Sequence, residues 1–166
     1  MRFLFLWSVL FAICGSLFAN NEKDKEIVIE LSRVKIEDMR VDSILDVIIE
    51  KKRDLLKNGC YLIIETTKGE ENSEIYLLIT IYEKDIFKIN CPDDKPIFVG
   101  CLEFNNQTVL IVGHIYMDKF ILTSEKKMLK FKCVDYKKGG YPPPFYNPPK
   151  YKYLFKNDGE IIRIGE

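Results

Sequence analysis

The sequence predicts an α+β fold, with one helix packed on a curled, mainly antiparallel, multi-stranded sheet. Three observations carry this expectation. Only one stretch has helical periodicity. From Cys60 onward, runs rich in β-branched and aromatic residues alternate with polar turns. Several links between those runs are short and contain Asn or Gly, as antiparallel hairpins prefer.

Taken in order, Glu26 to Val34 is apolar and β-branched enough for a first strand. A helix is expected from about Asp42 to about Lys57. Asp42 or Ser43 can cap it by accepting bonds from unpaired N–H groups. Ile44, Leu45, Ile48, Leu55 and Leu56 form its apolar stripe, and Asn58-Gly59 gives a left-handed stop. Strands follow at Tyr61 to Thr66, Glu74 to Glu83 and Asp85 to Asn90. Cys91 to Pro96 is a turn, because two prolines bracket two aspartates. Ile97 to Phe104 and Thr108 to His114 pair across Asn105-Asn106-Gln107. A further hairpin is expected between Lys119 to Thr123 and Met128 to Val134, turning at Ser124-Glu125-Lys126. The last hairpin joins Tyr151 to Phe155 and Glu160 to Ile164. The order strand, helix, strands is similar to the cystatin-like roll, in which a sheet wraps a helix. The Gln107-Thr-Val-Leu-Ile run lacks the glycine of that family's binding loop.

The chain opens with the layout of a secretory signal. Arg2 gives a basic start, Phe3 to Ile13 an apolar run, and Ala19 a small residue before polar sequence. The run is shorter than the roughly 20 apolar residues a membrane span needs. Residues 1–19 are therefore read as a signal peptide and 20–166 as a single α+β domain. The expected location is exported: periplasmic, cell-envelope or secreted. Cys14 ends the apolar run and gives a second reading, lipidation and a membrane anchor, although Ile13 is not the small residue that pattern prefers. Membrane contact is expected only in that case.

Lysine and arginine equal aspartate and glutamate at 25 each, so no strong field draws the chain to nucleic acid. Outside the signal, four cysteines remain: Cys60, Cys91, Cys101 and Cys133. An even number in an exported chain permits two disulfides, with Cys91 and Cys101 as a local pair across the proline turn. The opposing reading is that Cys101 and Cys133 are strand-buried small hydrophobes.

Residues 139–153 hold five prolines among aromatics. Such a preformed extended path loses little entropy on docking, and Tyr141, Phe145 and Tyr146 would be its contact residues. The competing reading is a strap across the domain's own sheet. His114 is the sole histidine, and no cysteine-hydrolase signature surrounds any thiol. No Gly-x-Ser-x-Gly elbow, close Cys-x-x-Cys pair, calcium loop, phosphate-cradling loop or dinucleotide fingerprint is present. Lys126, Lys127, Lys130, Lys132, Lys137 and Lys138 make one stretch locally basic, fit either for an anionic surface or for edge protection. Asn106-Gln107-Thr108 fits a glycosylation acceptor on a turn. No catalytic, cofactor or metal residue is assigned and no cofactor is expected.

The expected function is an exported, non-enzymatic binding or interaction module whose partner is another protein or an envelope component. Two alternatives stand beside it. One is an exported hydrolase using carboxylates or a Cys–His pair. The other is an inhibitor or immunity-type protein, recognisable by a protruding hairpin such as that at Asn105-Asn106.

Overall fold

The computed structural model describes residues 25–57, 59–69, 74–90, 98–112, 119–134, 147–156 and 158–165. The signal segment with Cys14, the turn with Cys91, His114, and Tyr141, Phe145 and Tyr146 lie outside them. The elements are β1 (Lys25–Ile36), α1 (Met39–Lys51), α2 (Arg53–Leu56), β2 (Cys60–Lys68), β3 (Ile75–Glu83), β4 (Lys88–Asn90), β5 (Phe98–Phe104), β6 (Gln107–Val112), β7 (Phe120–Val134), β8 (Lys150–Phe155) and β9 (Ile161–Ile164).

The helix side of the prediction stands, and the sheet side needs correction. Among the described residues, one helix is longer than a single turn. The nine strands form one sheet in the order β4-β7-β1-β5-β6-β2-β3-β8-β9. That sheet is mixed, not mainly antiparallel: β1 runs parallel to β5, β2 to β6 and β4 to β7. The expected hairpins β5–β6 and β8–β9 do form, and β2 and β3 pair antiparallel as well. The error lies between hairpins. The β5–β6 hairpin inserts between β1 and β2, which the helix keeps apart, and so lies parallel to a neighbour on each side. Local patterning specifies which face a strand buries, not which distant strand it meets. The same insertion separates this sheet from a simple roll around a helix.

A second correction concerns β7. The expected turn at Ser124-Glu125-Lys126 is instead part of one long strand. Ser32 pairs with Lys126 and Val34 with Leu122, so Thr123, Ser124 and Glu125 stand opposite Arg33 alone. These turn-forming residues make a bulge. The Thr123 hydroxyl donates to the Arg33 carbonyl at 3.1 Å and helps hold it.

Third, the helix starts earlier than Asp42. Asp38 is its cap, accepting from the Arg40 backbone N–H at 3.0 Å, while the Ser43 hydroxyl donates back to the Met39 carbonyl. The helix breaks at Lys52, and α2 adds one turn before Gly59, whose φ of +81° is the expected left-handed stop. Asn105 and Asn106 take φ of 47° and 63°, the two positive values of a tight hairpin turn.

Each face of the sheet carries a core. On one, Val41, Ile44, Leu45 and Ile48 of α1 join Leu62, Ile64, Leu77, Ile79, Ile81, Val109, Ile111, Tyr151, Tyr153 and Phe155. The opposite face is smaller and aromatic: Tyr61, Phe98 and Phe131 surround the partly buried Phe87, with ring centroids 5.5–6.2 Å apart.

Candidate functional site

The irregularities of β1, β5 and β7 converge on one point, Gly100. There β1 and β5 touch through two register pairs only, Ser32–Gly100 and Arg33–Cys101. The approach is close. A Cβ on Gly100 would stand 2.3 Å from Val34 Cγ2 and 2.9 Å from the Ser32 carbonyl oxygen. Only glycine fits such a contact. Beyond it the strands run on to Ile36 and Phe104 without pairing with each other, each following its outer neighbour.

The fork so formed is a cleft of about 370 Å³. Val34, Ile36, Leu102 and Phe104 line it from the helix side, Arg33, Lys35, Glu103 and Lys127 from the other, with Asp42 from α1. It lies at the carboxyl ends of two adjacent parallel strands, where open sheets with parallel strands commonly hold ligands.

The groups in the cleft are largely engaged with one another. Glu103 pairs with Lys127 and accepts from the Thr108 hydroxyl at 3.0 Å. Arg33 faces Glu125 at 3.6 Å, and Lys35 faces Glu37 at 3.1 Å. Burial, with Asp46 and Asp38 nearby, raises the Asp42 carboxyl above its ordinary range. Cys101 is fully buried beneath the cleft, and that burial pushes its thiol up, away from the reactive thiolate.

Cys60 and Cys101 are free thiols. The expected Cys91–Cys101 pair is therefore not formed. Cys60 belongs to the helix-side core and Cys101 to the aromatic one, so these two cannot bond each other either. Burial raises the Cys60 thiol as well. Cys133 lies on the aromatic face, is buried, and does not stand free. Among the described residues, no group of three or more histidine, cysteine or acidic side chains is placed to hold a metal ion. No helix among them is long and apolar enough to cross a membrane.

A second groove, of about 490 Å³, lies between α1 and the β5–β6 hairpin. Asn105 closes one side by donating to Asp46 at 2.6 Å. The hairpin tip is thus tied to the helix, and Phe104 packs against the core. It is not a protruding wedge.

The sequence reading missed Gly100 and the cleft residues Arg33 and Glu103. One signal was available: an isolated glycine inside the apolar run Ile97 to Phe104 marks a bulge or a close backbone approach. Comparison of the chain with protein-family models, curated proteins and solved structures finds no match.

Proposed function

We propose that this chain is an exported, non-enzymatic binding module of the cell envelope or extracellular space, freed of residues 1–19 after Ala19. Its partner is another protein or an envelope component. The supporting observation is how the reactive groups are held. Both free thiols sit in apolar cores with raised titration, and Glu103 and Lys127 of the β1–β5 fork neutralise each other. A nucleophile needs an adjacent base and access, and neither thiol has both. The docking of Asn105 on Asp46 weighs against the inhibitor reading. The balanced charge weighs against nucleic acid.

Export also frames the remaining cysteines. In this reading Cys133 is disulfide-bonded, and with Cys60 and Cys101 free and the signal removed, Cys91 is the cysteine left to pair with it.

The test is the intact mass of the protein recovered from its native host, alkylated under denaturing conditions with and without reduction. The expected chain begins at Asn20, takes label at Cys60 and Cys101 alone before reduction, and takes it at all four cysteines afterwards. A chain that retains residues 1–19, or four thiols open without reduction, would overturn the exported reading. A lipid-bearing Cys14 start would place the protein on a membrane instead. Rapid labelling of Cys101 in the native state at neutral pH would restore the thiol-enzyme reading.

A further inference from the structure

The helix covers only part of its face of the sheet. Beside it, β1 and β7 present a regular grid: Glu26, Val28, Glu30 and Ser32 stand opposite Lys132, Lys130, Met128 and Lys126. Lys88 of β4 extends it next to Lys132. Two apolar side chains stand in the grid, Val28 at 53 % and Met128 at 61 % exposure, with Leu122 at 39 % on the same face beyond the bulge. Isolated exposed hydrophobics need no explanation. Here they neighbour one another and are flanked by charges, the anatomy of an interface core and its rim.

The charges are arranged in rows and are only partly used. β1 supplies the glutamates and β7 the lysines. Lys126 donates to Ser32, and Lys132 lies 3.4 Å from Asp85. Glu26, Glu30 and Lys130 form no ion pair among the described residues.

We propose that this bare face is where a second copy of the chain docks, sheet against sheet. The pattern is self-complementary in the sense a two-fold axis requires. An axis along the strands lays β1 of each copy over β7 of the other. Glu26 of each copy then faces Lys132 of the other, Glu30 lies diagonal to Lys130, and Val28 and Met128 of both copies meet diagonally around the axis. Another partner would need to supply that alternation by itself; a second copy carries it. The grid spans about 20 Å along the strands and about 10 Å across three of them. That footprint is small, so the dimer is weak and depends on concentration. The proposal is independent of the address and of what the fork binds.

Sedimentation velocity of the purified protein over a concentration series tests it. The expected result is a monomer–dimer equilibrium. Met128→Glu should weaken it by at least about tenfold, because a charge then enters the apolar centre. Lys130→Glu and Glu30→Lys should each weaken it, and the two together should recover much of the loss. All four substituted forms should keep the parent thermal midpoint at low concentration, since these side chains are exposed. A protein that stays monomeric throughout overturns the proposal and leaves the face to a different partner. A dimer that survives Met128→Glu, or charge-swapped forms without recovery, overturns it equally.

Discussion

Ile79 and Met128 lie on the same face of the same sheet, yet Ile79 is fully buried and Met128 is 61 % exposed. The difference is the helix. Where α1 shares a core with β2, β3, β6 and β8, alternate residues are apolar and sealed, with Thr66 as a buried polar exception. Along β1 and β7 the same alternation is broken by lysine and glutamate, and no element of the described chain closes over it. One sheet face thus provides stability on one side and a surface for contact on the other.

The comparison can be broken first at the helix. Leu45→Ala removes a fully buried side chain from the shared core and should cost about 3–5 kcal/mol in urea unfolding. A cost below about 1 kcal/mol would mean that α1 does not seal this half. Gly100→Ala probes the border between the halves. The new methyl meets the Ser32 backbone, so a loss of about 1–3 kcal/mol is expected in the same assay.

Asp38 anchors the sealed side. Its carboxylate caps the helix and takes bonds from the Arg40 side chain at 2.6 and 2.9 Å and from Lys119 at 3.0 Å, and both cations lie over Phe155. The Arg40 guanidinium holds this carboxyl well below the usual carboxylate range. Because the folded value is depressed, the contribution is full above the unfolded value near pH 4. It is lost as pH falls further. Asp38→Asn keeps a competent cap but loses the charged bonds to Arg40 and Lys119, so it should cost about 1–2 kcal/mol at neutral pH and flatten the acid limb of a stability–pH profile. An unchanged acid limb would remove Asp38 from this role.

Thr66 tests how dry the sealed half is. Its hydroxyl is buried without a hydrogen-bond partner among the described residues. Thr66→Val should therefore raise stability by about 1 kcal/mol, seen as a higher thermal midpoint. A fall would mean that the hydroxyl is satisfied in solution. The smallest effect belongs to the bare half: Met128→Ala, measured at low concentration, should stay within about 0.5 kcal/mol of the parent. A larger loss would show that something covers β7 after all.

Much of the fold was legible locally. The apolar stripe Ile44, Leu45, Ile48 identified the helix, and Asn105-Asn106 identified a hairpin turn, because helical periodicity and positive φ are properties of a few neighbouring residues. The candidate site was far less legible. The fork depends on Gly100 meeting Ser32, contributed by strands 68 positions apart. Ser124-Glu125 looked like a turn because turn-forming residues also build bulges, and only the partner strand decides between them.

By itself, then, the sequence determined a helix, two local hairpins and the alternation of buried and exposed positions along each strand. These follow from short-range sterics and from burial of apolar side chains. Tertiary structure alone decided that β5–β6 enters between β1 and β2, that the sheet is mixed, and that α1 seals one half of a face while β1 and β7 stay open. Those outcomes depend on long-range pairing. Its cost is loop closure, its return is packing between distant strands, and a window of neighbouring residues carries neither.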